Sequence, residues 1–233
     1  MSEKISSGPA RRRQMDPAVY RELARIGSVR EVRKNDYSFR AGADATDIYL
    51  LEQGCIKIFG TSLEGTEMLL CVSSVGELYG VSDALRSADE PRHAYDAIAC
   101  EDSRLIAIPR VQFRSLLSQQ PVLAIHIIET LSYRLDESRH KLINLTSTNM
   151  AARVARIVLH MTTCHGTHVG NAMELGVPLT QQEVADMVGG ARQTVSAILN
   201  TLKTEGILSI TNKRIRIEDQ ERLAEIAAGK PHV

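Results

Sequence analysis

Six side chains able to donate or accept hydrogen bonds, Arg192, Gln193, Thr194, Ser196, Asn200 and Lys203, fall within one short stretch of this chain. Val195, Ile198, Leu199 and Leu202 lie between them at helical spacing, which gives one apolar and one polar face. Arginine, glutamine and serine on an exposed helical face suit the edges of base pairs. Arginine can donate twice to guanine, and glutamine can both donate to and accept from adenine. Such contacts need a helix held rigidly enough to enter the major groove.

The preceding residues supply that support. Thr180 and Glu183 have the spacing of a capping box, and Val184, Met187 and Val188 mark the buried face of a first helix. Gly189 and Gly190 provide the turn, and Gly206 ends the second helix. Two amphipathic helices around a glycine turn also occur in all-α domains that never touch DNA. The next segment separates the readings: Ile207 to Ile217, ILSITNKRIRI, alternates around Asn212-Lys213 and predicts a β-hairpin. A hairpin directly after a recognition helix is a wing, and Lys213, Arg214 and Arg216 would make it basic. The chain carries 28 basic and 28 acidic residues. A DNA reader needs a basic contacting face rather than a basic whole, and from Thr201 to Arg216 four basic residues face the single acid Glu205.

From about Ser28 to Pro109 short apolar runs alternate with glycine: Ile48 to Leu51, Ile56 to Phe59, Met68 to Val72, Ala97 to Ala99 and Leu105 to Ile108. This predicts an antiparallel β-roll of the jelly-roll kind, able to enclose one ligand. A long helix follows over about Val122 to Thr148. Its seam of Ala124, Ile128, Leu131, Leu135, Ser138, Leu142, Leu145 and Asn149 alternates spacings of four and three, asking for a partner helix. Ile128, Leu131, Leu135, Leu142 and Leu145 are therefore the expected interface of a homodimer. A second helix is expected over Ala151 to Thr162. The fold class is α+β, divided as a flexible tail over 1–17 (with Arg11 to Arg13 as a solvated charge run), a sensor domain over 18–120, a dimerisation helix over 121–149 and a winged helix-turn-helix over 150–233.

Other classes fall away. No nucleophile elbow, P-loop or HExxH frame occurs, so no enzyme is expected. No apolar run is long enough to span a bilayer, and Cys55, Cys71, Cys100 and Cys164 lack CxxC spacing, which suits a reducing, cytoplasmic setting. His160, Cys164, His165 and His168 have intervals that a transition metal could use. They span a helix end and a glycine loop, so the expectation is surface histidines on a hinge, with no metal.

The order β-roll, long helix, winged helix-turn-helix resembles the CRP/FNR superfamily of bacterial transcription regulators. IYLLEQGCIKIF, VGELYG, ETLSYRLDES and the segment from Leu179 to Leu208 carry the likeness. It implies base reading by Arg192, Gln193 and Ser196, with Ala197 standing where well-known members have arginine. Thr180, Thr194, Lys203 and Lys213 become phosphate contacts, on a two-fold symmetric operator in double-stranded DNA. It implies activation through RNA polymerase. It also implies an effector pocket drawn from Gly76, Glu77, Arg92, His93, Arg134 and Ser138. Gly76 and Glu77 match the family's ribose pair. The phosphate arginine falls instead on His93, which makes no bidentate fork, and Arg139 replaces a hydroxyl after Ser138, so cyclic AMP is not the expected effector. The loop over 81–90 also reads as longer than the cyclic-AMP receptor's. A regulatory cyclic-nucleotide module joined to another effector domain is the alternative class. No cysteine precedes Cys55, which argues against an iron–sulfur cluster. Gly80 and Ser82 stand where haem-binding members have ligands, leaving haem on His93, Met68 or Cys71, thiol chemistry sensing nitrosative or redox stress, or another small molecule.

Overall fold

The computed structural model describes residues 15–87, 90–147, 149–170 and 172–229. The expected tail over 1–17, with Arg11 to Arg13, lies outside them except for its last three residues. The chain divides into two compact units, one over Arg13–Glu129 and one that includes Thr130–Val233.

The first unit runs α1 (Pro17–Ile26), β1 (Ser28–Val32), β2 (Tyr37–Phe39), β3 (Asp47–Gln53), β4 (Ile56–Thr61), β5 (Glu67–Ser73), β6 (Leu78–Tyr79), α2 (Val81–Ala84), β7 (Asp96–Ala99), β8 (Ser103–Pro109) and α3 (Arg110–Gln119). Two four-stranded antiparallel sheets result, ordered β1-β8-β3-β6 and β2-β7-β4-β5. The period-2 alternation of β3 explains how both of its faces are buried. Ile48 and Leu50 join a cluster with Leu23, Phe113 and Leu123, whereas Tyr49 and Leu51 join Ile56, Tyr79 and Ala97 in a second. In β8, Ile106 and Ile108 follow the first course and Leu105 and Ala107 the second. That double burial is why both strands read as unbroken apolar runs.

A single helix, α4 (Pro121–Leu145), carries the chain onward. Then come α5 (Met150–His165), β9 (Gly166–Val169), β10 (Ala172–Leu175), α6 (Gln181–Val188), α7 (Arg192–Thr204), β11 (Leu208–Thr211), β12 (Arg214–Ile217) and α8 (Gln220–Ala227). The segment after α5, expected as a loop, instead forms β9 and β10, which extend the hairpin into a sheet ordered β11-β12-β10-β9. Four-residue strands reading GTHV and AMEL carry no alternation long enough to announce themselves.

Candidate nucleic-acid interface and sensor site

The capping box forms. Glu183 N–H donates to Thr180 Oγ1 at 3.1 Å, and Thr180 N–H donates to Glu183 Oε2 at 2.7 Å. Gly189 then turns the chain at φ 61°, ψ 48°, a conformation that side-chain-bearing residues adopt at a cost. Space adds a second demand: a Cβ there would lie 2.6 Å from Leu145 Cδ2 and 3.0 Å from Arg153 Nη2. Arg153, buried on α5, donates to the carbonyls of Val188 and Gly189, satisfying the orphan acceptors at the end of α6. Beside it Arg156 donates to Ala227 O at 2.7 Å and to Asn144 Oδ1 at 3.0 Å. Sequence reasoning missed both arginines. Their signal was a pair of cations three apart in an otherwise apolar helix, MAARVARIVLH.

α7 is anchored through Val195, Leu199 and Leu202, all at most 1% exposed, with Ile198 half-buried. Arg192, Gln193, Thr194, Ala197, Asn200 and Lys203 are exposed and Ser196 is half-buried. The helix therefore presents one continuous polar face on an apolar footing. In the wing, Asn212 and Lys213 take φ 51° and 64° between paired Thr211 and Arg214, the two-residue turn whose twist matches a hairpin. The three basic wing residues are not equivalent. Lys213 is exposed at the turn, but Arg214 is half-buried and donates to the Gly176 carbonyl, and Arg216 Nε lies 3.4 Å from Glu218. The expectation of a wholly basic wing thus narrows to its tip, because Arg214 is spent on a backbone carbonyl and Arg216, though partly exposed, is paired with Glu218.

The long helix has two apolar faces. Leu123 and Ile127 are buried in the first unit's core, whereas Ile128, Leu131, Leu135, Leu142 and Leu145 are 39–65% exposed. Ser138 is exposed and donates to Arg134 O at 3.0 Å within its own helix, and the Arg134 side chain is half-buried.

The sensor residues split in direction. Gly76 takes φ 85° with open space around a would-be Cβ, so its conformation rather than crowding selects glycine. Glu77 is half-buried, its carbonyl accepting from Leu51 N–H at 3.0 Å. His93 turns inward and is 2% exposed. Its ring lies 3.6 Å from that of Phe39 at a 9° tilt, within a stack that includes Tyr49 and Tyr79. Asp83 Oδ2 approaches His93 Nδ1 at a long 3.5 Å. Burial lowers the His93 pKa, only partly opposed by Asp83, so the ring is neutral at pH 7. Arg92 turns outward, donating to Gly42 O at 2.9 Å and pairing with Asp44 at 3.3 Å. Neither residue offers a buried cation to a cyclic phosphate, and the residues present do not fit cyclic AMP. Of the haem candidates, Met68 is exposed on β5 and Cys71 packs beside the aromatic cluster.

Cysteine usage holds one pair that sequence reading left scattered. Cys55 and Cys100 flank the β4–β7 ladder, with Cys100 N–H donating to Cys55 O at 2.9 Å. The hydrogen bond to Cys100, with burial, pushes the Cys55 thiol up, and the same bond holds Cys100 below the ordinary thiol range. The histidine–cysteine group corrects another expectation. Among the described residues, His160 and Cys164 converge with Glu137, their ligand atoms all within 4.8 Å of one another. His165 is buried, His160 half-buried and His168 exposed on β9, so the expected surface placement holds for His168 alone.

The comparisons agree with this architecture. Residues 29–120 match the cyclic nucleotide-binding domain family, and residues 152–226 match the Crp-like helix-turn-helix domain family. The chain is 31% identical over 185 residues to the cyclic AMP receptor protein of Thermus thermophilus, covering 78% of this chain and 80% of that one. It is 28% identical over 189 residues to the CRP-like cAMP-activated global transcriptional regulator of Mycobacterium tuberculosis, covering 81% and 83%. The structure of FixK2 from Bradyrhizobium japonicum shares the fold, with a TM-score of 0.73 at 21% identity over 88% of this chain and all of that one. The Mycobacterium relative is named a transcriptional regulator and none of the three is named an enzyme, and the chain belongs to the CRP/FNR superfamily of transcriptional regulators.

Proposed function

We propose that the chain acts as a homodimeric, sequence-specific DNA-binding regulator, controlled by an effector other than cyclic AMP and activating transcription through RNA polymerase. The observation that carries this reading is α7: a polar face left to solvent on a helix fixed by buried Val195, Leu199 and Leu202. In this reading Arg192, Gln193 and Ser196 meet base edges, and Thr194, Lys203 and Lys213 meet phosphates. Thr180 joins them through the start of α6, its side-chain oxygen already serving as the helix cap. The exposed stripe of Ile128, Leu131, Leu135, Leu142 and Leu145 supports pairing of two long helices, which would set two recognition helices about 34 Å apart on a symmetric operator. The working division is a sensor over 18–120, a dimer helix over 121–149 and a DNA-binding domain over 150–233, in a cytoplasmic protein. Among the described residues, no helix is long and apolar enough to cross a membrane.

The relatives named for cyclic AMP make it the first ligand to test. Inward His93 and outward Arg92 argue against it. An effector regulates only by binding the DNA-competent and incompetent dimers with different affinity. A thiol-based redox reading is favoured by the Cys55–Cys100 pair, whose two thiols an oxidant such as a peroxide or S-nitrosothiol could convert to a disulfide. Retardation of duplex DNA across a salt series tests the main reading. A phosphate-contacting dimer must weaken steeply as salt rises, whereas salt-independent retention would overturn it.

A further inference from the structure

Glu137 on α4 and His160 and Cys164 on α5 bring one oxygen, one nitrogen and one sulfur donor together. His160 and Cys164 are four apart, hence on one face of α5. His160 Nε2 lies 2.8 Å from Glu137 Oε1, and Cys164 Sγ lies 3.7 Å from Nε2 and 3.9 Å from Nδ1. We propose that these three side chains form a site for a divalent transition-metal cation of the zinc class, with water as the fourth ligand, joining α4 to α5.

The distances carry the inference. With ordinary zinc bond lengths, a tetrahedral ion holds its nitrogen and sulfur ligands ~3.6 Å apart and its nitrogen and oxygen ligands ~3.4 Å apart. The Nε2–Sγ separation of 3.7 Å is of that length, but with Nδ1 at 3.9 Å the sulfur stands beside the ring, so a rotation of the imidazole or the thiol must bring Sγ round to the Nε2 lone pair. The carboxylate must withdraw from its 2.8 Å hydrogen bond by roughly half an ångström, which a side-chain rotation supplies. The donor set of thiolate, imidazole and carboxylate suits a borderline ion better than magnesium or calcium, which take oxygen. Tyr133 Oη lies 2.8 Å from Cys164 Sγ, so its hydroxyl can donate to the sulfur and hold it in place. A groove of about 490 Å³, lined by Glu137, His140, Lys141, Asn144, Arg156 and His160, reaches the cluster and gives an ion access. The Arg156 guanidinium is turned away to Ala227 O and Asn144 Oδ1.

The test is titration of the reduced, metal-free full-length protein with cobalt(II), followed by absorption and by metal analysis. The expected result is one ion per chain, d–d bands of tetrahedral intensity and a thiolate-to-cobalt charge-transfer band. Cys164→Ser should abolish the charge-transfer band, His160→Gln should weaken binding by about tenfold or more, and Cys55→Ser should leave both unchanged. Zinc added to the cobalt form should displace it and bleach the spectrum. Should Cys164→Ser lose its helical circular dichroism, Glu137→Gln is read instead, with the same expected weakening. The proposal is overturned if cobalt binds well below one per chain, if the charge-transfer band survives Cys164→Ser, or if Glu137→Gln and His160→Gln bind as wild type.

Discussion

The recognition helix and the interior of the β-roll treat their polar side chains in opposite ways. On α7 they are left exposed, and the buried groups are apolar. In the β-roll His93 is drawn into a stack with Phe39, Tyr49 and Tyr79, and its neighbour Arg92 is tied to Gly42 and Asp44 outside. One region keeps its polar groups in solvent, while the other packs a neutral imidazole among aromatic rings. In the proposed reading, DNA recognition rests on the anchored polar face of α7, and the argument against cyclic AMP rests on the directions of His93 and Arg92.

The largest expected effect breaks the reading end without touching α7. Leu135→Asp puts like charges in the exposed seam of α4 and should yield a monomer by sedimentation. Operator affinity should fall on the order of 100-fold as the second half-site is lost. A variant that remains dimeric with unchanged affinity would show that the seam is not the interface.

Next comes the support of the helix-turn-helix. Gly189→Ala meets both a left-handed backbone and the Leu145 and Arg153 side chains. It should lower unfolding stability by about 1–3 kcal/mol in urea. Equal stability would mean that the turn relaxes freely, contrary to the packing around it.

Gln193→Ala sharpens the contrast further. It should erase about 1–3 kcal/mol of discrimination at one base position in each half-site and leave other positions alone. Uniform weakening on every sequence would move Gln193 from base edge to backbone.

The smallest effect belongs to the β-roll. Because the folded pKa of His93 lies below its ordinary 6.5, the unfolded chain takes up a proton that the folded chain resists. The stability His93 confers is therefore present above pH 6.5 and lost as pH falls below it. Asp83 at 3.5 Å and, more distantly, Asp47 only partly offset this. The urea midpoint of the wild type should change less favourably between pH 7 and pH 5 than that of His93→Phe, which keeps the ring stack, because the raised pKa of His160 acts in the opposite direction in both proteins. An identical pH profile in that variant would mean that the ring is not the titrating group.

The two ends also differed in how far they could be read from sequence. The capping box, glycine turn and wing are local, and a few residues of spacing predict Thr180, Glu183, Gly189 and the Asn212-Lys213 turn. The doubly buried β3 and β8 were visible as apolar runs, but β1, with four of its five residues exposed, gave no such signal. Long-range pairings stayed hidden. Arg214 reaches Gly176, Arg153 reaches the end of α6, Cys100 meets Cys55, and Glu137 joins His160 and Cys164, each from far along the chain. Spacing could nominate His160 and Cys164 but not their carboxylate partner, and it grouped them with His165 and His168, which point elsewhere. The direction of His93 depended on a tertiary stack that no local pattern encodes.

The most direct test of the account is a fluorescence-anisotropy titration of a duplex selected from random sequence, with and without saturating cyclic AMP. The expected result is a two-fold symmetric selected site and the same affinity in both titrations. A cyclic-AMP-dependent gain of tenfold or more would contradict it, because a phosphate site would then exist where the structure places a buried His93.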